Sequence, residues 1–73
     1  GGAAPTDIGE AAAKNAAFAH CGCDEIQVTG LKTDRDYEDN CLEYEIEFVL
    51  DGREYEYVID GATGEILKYE WED

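Results

Sequence analysis

One histidine and three cysteines are the side chains of this 73-residue chain best suited to metal or nucleophilic chemistry. They fall in two places, His20-Cys21-Gly22-Cys23 and Cys41. A tetrahedral zinc site would draw such donors to within about 2.0–2.3 Å of one ion. The spacing works against that. Cys21 and Cys23 lie where a helix ends and a first strand begins, and Cys41 follows the turn at that strand's far end. Ten strand residues rising about 3.3 Å each hold the two groups roughly 30 Å apart. The same separation forbids a Cys23–Cys41 disulfide, and a Cys21–Cys23 bridge would close a strained small ring. The thiols are therefore read as unpaired: Cys21 and Cys23 as small buried hydrophobes, Cys41 as pointing outward. No cofactor or metal is expected.

The carboxylates are the other candidates. Asp34-x-Asp36-x-Glu38, with Glu45 at the twelfth position, shadows a calcium-binding loop, but Asp39 stands at the sixth position, where the sharp turn needs glycine. At most, weak cation binding by an acidic hairpin follows. Catalytic machinery is thin: one His, no Ser, no glycine-rich phosphate loop. Paired carboxylates on exposed strands lack a pocket to push one pKa against another. The chain is read as a non-enzyme. Nineteen acidic against five basic residues give a net charge of −14, which repels nucleic acid and anionic lipid alike. No apolar run approaches the ~20 residues a membrane span needs. Partners should be basic, cationic or apolar.

Leu42 to Ile59 must position most of these carboxylates. Leu42, Tyr44, Ile46, Phe48 and Leu50 alternate with glutamates, Asp51-Gly52 follows, and Tyr55, Tyr57 and Ile59 resume the alternation. Asp-Gly between alternating segments signals a two-residue type I′ hairpin. That turn sets Phe48 opposite Tyr55, Ile46 opposite Tyr57 and Tyr44 opposite Ile59, all on one face. The other face carries Glu43, Glu45, Glu47, Glu54 and Glu56, with Glu47 opposite Glu56. These five glutamates are the candidate partner-binding residues; a solvated acidic face is the plainer alternative.

The flanking segments read as follows. Gly1-Gly2-Ala3-Ala4, in a chain without Met, suggests an excised domain with a cloning scar, so residues 1–7 are expected to be disordered and residues 8–73 to form one domain. A short alanine-rich helix extends from Ile8 to Gly22, with Ala13, Ala17, Phe18 and Cys21 on one face and Gly22 as its left-handed C-terminal cap. Its N-cap is either Gly9, with Ile8 and Ala13 as a hydrophobic staple, or Asp7, with Glu10 completing a capping box. Ile26 to Tyr37 is a first strand with a bulge near Gly30, and Asp39-Asn40 a tight turn. Asp60-Gly61-Ala62-Thr63-Gly64 is a loop held by the Asp60 carboxylate. A bulge should turn Leu67, Tyr69 and Trp71 into the core, opposite Ile59, Tyr57 and Tyr55. The sum is an α+β domain: one N-terminal helix packed on one face of a four-stranded antiparallel meander.

The ordered set Ile8…Ala13…Ala17-Phe18-x-His20-Cys21-Gly22, then Leu42-x-Tyr44-x-Ile46, then Tyr57-x-Ile59-Asp60-x-x-Thr63-Gly64-Glu65-Ile66-Leu67, closely resembles a PepSY domain over about residues 8 to 71. The resemblance implies a regulatory, non-catalytic module, of the kind found in propeptides of thermolysin-like metallopeptidases and in secreted or membrane-anchored bacterial proteins, often in tandem. It implies restraint of a peptidase or another envelope protein as partner, and an extracellular or cell-envelope location. It brings no catalytic residues, and the matching Tyr44, Asp60, Thr63 and Gly64 look structural. Cys21 and Cys23 depart from the family's usual Ala and Val-like residues, and Asp39-Asn40 from its usual Asp-Gly. A monomer is expected, without membrane contact of its own. The alternatives are a spacer bead in a tandem surface protein, or a weak calcium-binding module.

Overall fold

The computed structural model describes residues 6–73. The element order is α1 (Glu10–Cys21), a 3-10 turn (Glu25–Gln27), β1 (Thr29–Glu38), β2 (Cys41–Leu50), β3 (Arg53–Asp60) and β4 (Ile66–Glu72). The strands form one antiparallel sheet in the order β1-β2-β3-β4. This is the helix-on-meander α+β architecture that the residue pattern implies.

The central hairpin has the predicted register, with Tyr44 opposite Ile59, Ile46 opposite Tyr57 and Phe48 opposite Tyr55. Its turn residues have φ of 52° at Asp51 and 79° at Gly52, and those of the first hairpin 53° at Asp39 and 63° at Asn40. Positive φ at both central positions gives the backbone twist that two-residue hairpins need. The Gly30 bulge is present too: the β1–β2 register shifts between Thr29 and Lys32.

On one face, Leu42, Tyr44, Ile46, Phe48, Tyr57 and Ile59 form the core with Ala13, Ala17 and Phe18 of α1. Two fully buried alanines let the helix backbone approach the sheet, and the Phe18 ring meets Phe48 at 5.2 Å, tilted. Gly9 is the N-cap, and Ile8 packs on the core as the staple requires. Gly22 takes the left-handed C-terminal cap, its N–H donating to Phe18 O at 2.8 Å.

Two expectations need correction. Ile26 does not begin the first strand. The Gln27 side chain accepts the Asp24 N–H at 2.7 Å and the Gln27 N–H reaches Asp24 O at 2.9 Å. These bonds close a 3-10 turn that leaves Ile26 92% exposed. Nor does a bulge bury Leu67, Tyr69 and Trp71. Tyr69 and Trp71 do pair with Tyr57 and Tyr55, but Ile66, not Leu67, stands opposite Ile59. Ile66 packs half-buried against the core, whereas Tyr69 and Trp71 remain 40% and 46% exposed. The cause is length. A helix of 12 residues covers about 18 Å, while the ten-residue β2 runs about 33 Å. The disorder expected over residues 1–7 falls, for residues 1–5, outside the described residues; Asp7 is hydrogen-bonded to Gly9, Arg35 and Tyr44.

Candidate functional site

The Asp7 carboxylate joins three elements. The Tyr44 hydroxyl donates to its Oδ1 at 2.6 Å, the Gly9 N–H donates to the same oxygen at 2.8 Å, and Arg35 Nε donates to Oδ2 at 3.2 Å. The Tyr44 bond, foremost among these, holds Asp7 below its usual pKa and raises Tyr44 above its own, while Arg35 is raised first by its own bond to Asp7. This cluster fastens the helix entry to β1 and β2. From the sequence Asp7 reads as an alternative N-cap; its position two residues before Gly9 is the available signal.

A second junction binds the Asp60–Gly64 loop. Asp60 Oδ1 accepts the Ala62 and Thr63 N–H groups at 2.8 and 3.3 Å, and Thr63 Oγ1 accepts the Glu65 N–H at 3.1 Å. Gly61 is buried, donates its N–H to Leu42 O at 2.7 Å, and accepts the Ile8 N–H at 2.8 Å. Asp60 and Thr63 are therefore turn-building groups. Gly61 was not singled out from sequence, since nothing local distinguishes a close approach from an ordinary loop glycine.

Around the helix end, His20 Nδ1 and the Tyr57 hydroxyl share a 3.0 Å hydrogen bond, and the His20 ring meets Tyr69 edge-on at 4.7 Å. Burial raises the Tyr57 phenol well above its ordinary pKa. Burial and the adjacent Cys21 thiol push Cys23 up to about 11. Cys21 and Cys23 are half-buried free thiols and Cys41 is an exposed one. Among the described residues, no group of three or more His, Cys, Asp or Glu side chains is placed to hold a metal ion.

The five sequence-predicted glutamates lie on the sheet face away from the helix. Glu45, Glu47 and Glu54 are exposed; Glu43 and Glu56 are half-buried. Strand pairing extends them into rows. Lys32, Glu47, Glu56 and Glu70 run across all four strands; Asp34, Glu45, Val58 and Lys68 form the next row; Glu54 pairs with Glu72. Neighbours in a row have Cβ atoms about 5 Å apart, so Glu56 sits between two like charges. The lysines of this face, Lys32 and Lys68, lie 3.8 Å from Asp34 and 3.7 Å from Glu70. Exposed pairs of this kind contribute little, so the field of the face stays negative. An open groove of about 650 Å³ near the Asp51-Gly52 turn is lined by Glu47, Glu54, Glu56, Glu70 and Glu72 together with Val49 and the aromatic Tyr55, Tyr69 and Trp71. Glu70 and Glu72 complete the acidic surface from β4.

No helix among the described residues is long and apolar enough to cross a membrane. No curated protein and no solved structure gives a significant match. A family model described as "Peptidase propeptide and YPEB domain", PepSY, matches residues 7–70. It begins at the Asp7 anchor and ends within β4. Domains of this family are propeptide-type, non-catalytic modules associated with peptidases in secreted or envelope proteins. The chain belongs to the PepSY family.

Proposed function

We propose that this domain is a non-enzymatic module that restrains a peptidase in the bacterial envelope or exterior, docking a basic surface of its partner through the acidic sheet face. The observation carrying this reading is the glutamate row Glu47–Glu56–Glu70 with its neighbours. These like charges crowd one face at a cost in stability that a core-forming role does not require. In water, unit charges about 5 Å apart repel by just under about 1 kcal/mol, and a cationic partner relieves several such pairs together. Glu43, Glu45, Glu47, Glu54 and Glu56 are the contact residues, with Glu70 and Glu72 extending them. Long-range attraction of this kind speeds encounter and weakens with salt.

The test is an inhibition assay with secreted peptidases of the source organism, captured on the immobilised domain at low salt and identified. The domain should slow the captured peptidase. A variant carrying Glu43→Gln, Glu45→Gln, Glu47→Gln, Glu54→Gln and Glu56→Gln should fold but lose most of that effect, as should the parent domain at high salt. Restraint by the glutamine variant equal to the parent's would refute docking by this face.

A further inference from the structure

β4 is an outer strand of the sheet, and its two sides differ in chemistry. Toward the helix side stand Tyr69 and Trp71, which α1 is too short to cover. Toward the other stand Glu70 and Glu72, continuing the acidic rows from Glu56 and Glu54. Beyond the bulge near Ile66, residues Lys68 to Glu72 pair regularly with β3, leaving alternate backbone N–H and C=O groups directed away from the sheet. The other outer strand, β1, is bulged near Gly30 and its Arg35 is engaged by Asp7.

From this we infer that β4 is a strand-addition site for an extended partner segment that alternates basic and aliphatic residues. Side chains of an added strand alternate between faces with period two. One set would lie beside Glu70 and Glu72, the other beside Tyr69 and Trp71. The acidic side selects Lys or Arg, favoured further by the chain's net charge of −14. The aromatic side selects aliphatic residues, because the Arg53 guanidinium already covers the Trp71 ring at 4.5 Å and His20 already meets Tyr69. Lys68 fixes the register: the partner residue beside it is acidic or neutral, and the basic ones align with Glu70 and Glu72. Main-chain bonds would supply affinity, and the two faces specificity.

The inference rests on the docking reading above, yet it fails separately. The probe is a synthetic peptide of about nine residues with lysine at the two alternate positions that would face Glu70 and Glu72, glutamine at the remaining positions of that side, including the one beside Lys68, and valine or isoleucine between. One control has the same composition with lysines and aliphatic residues in separate blocks; another is N-methylated along the edge that would pair. Trp71 fluorescence reports binding, and amide hydrogen exchange reports place. The alternating peptide should slow exchange of the outward amides in Lys68–Glu72 by roughly tenfold or more, and both controls should bind at least about fivefold more weakly. Equal binding of either control, or protection confined to Cys41–Glu47, overturns strand addition. A peptidase restrained through β2 and β3 glutamates without β4 protection would overturn it while leaving the docking reading intact. β4 protection without any restrained peptidase would uphold it and remove the peptidase.

Discussion

Gly61→Ala tests the junction that holds the helix entry, β2 and the β3–β4 loop together. A Cβ at this position would stand 2.3 Å from Leu42 Cγ, 2.7 Å from Leu42 Cδ2 and 3.0 Å from Leu42 O. Carbon atoms prefer separations of about 3.5–4.0 Å, so more than about 1 Å must be found in a buried place. Leu42 is 5% exposed and packed in the core. If Leu42 yields, overpacking costs about 1–3 kcal/mol. If the loop retreats instead, it stretches the bonds from Gly61 N–H to Leu42 O and from Ile8 N–H to Gly61 O, each worth about 1 kcal/mol. Either route falls within about 1–3 kcal/mol. For a domain of this size, that lowers Tm by about 5–25 °C. Urea unfolding followed by Trp71 fluorescence should show the midpoint falling with an unchanged slope.

Gly64→Ala is the informative comparison. Gly64 has φ of 83° but no close neighbour, the nearest atom being Ile8 Cδ1 at 3.7 Å. Its cost is the backbone's alone, about 1–2 kcal/mol. Gly61 is absent from the positive-φ glycines, so its cost is steric. Leu42→Ala, which removes both Cγ and Cδ2, should therefore make Gly61→Ala cost less than it does in the parent, with a coupling of about 1 kcal/mol or more. A Gly61→Ala loss under about 0.5 kcal/mol, or one smaller than that of Gly64→Ala, would refute the close-approach reasoning.

Asp7 is held below its usual pKa by Tyr44, Gly9 and Arg35. Its stabilisation is present above the unfolded value near pH 4 and fades as pH falls through the lower folded value; the Tm gap between parent and Asp7→Asn should be widest near neutrality and close below about pH 4. A gap constant down to about pH 2.5 would contradict this. Glu56→Lys should stabilise the domain by about 0.5–1 kcal/mol, since Glu47 and Glu70 flank it, and should lessen the stabilisation that added salt gives the parent; a drop in Tm would count against crowding. Thiol labelling near neutral pH should find Cys41 fast and Cys23 slow. A rise from 9.0 to about 11 leaves roughly a hundredfold less thiolate at Cys23, and equal rates at the two would be inconsistent with that burial.

What was legible in the sequence is local or periodic. Asp51-Gly52 and Asp39-Asn40 carry their turn chemistry in two residues, and alternation around them fixes every pairing between β2 and β3. The glutamate face was readable for the same reason, because a register settled by one turn settles both faces. Ile26 was misjudged because its β-branched side chain speaks for a strand, while the bond from Asp24 N–H to the Gln27 side chain speaks for a turn. The local hydrogen bond prevails where nothing buries the side chain. Asp7 and Gly61 escaped because their meaning lies 37 residues away at Tyr44 for Asp7, and across the β2 backbone at Leu42 for Gly61.

The exposed Tyr69 and Trp71 are different in kind, since the means of finding them was present. Twelve helical and ten strand residues convert to lengths by their rise per residue alone, and the mismatch leaves one end of the sheet bare. Pairing put these aromatics on the correct side; only the assumption that an apolar side is a covered one placed them in the core. A strand that, among the described residues, is apolar on the core side yet uncovered, acidic on the other and unpaired along its edge departs from the usual protection of sheet edges. That departure, more than the count of its carboxylates, makes β4 the place to look for the partner.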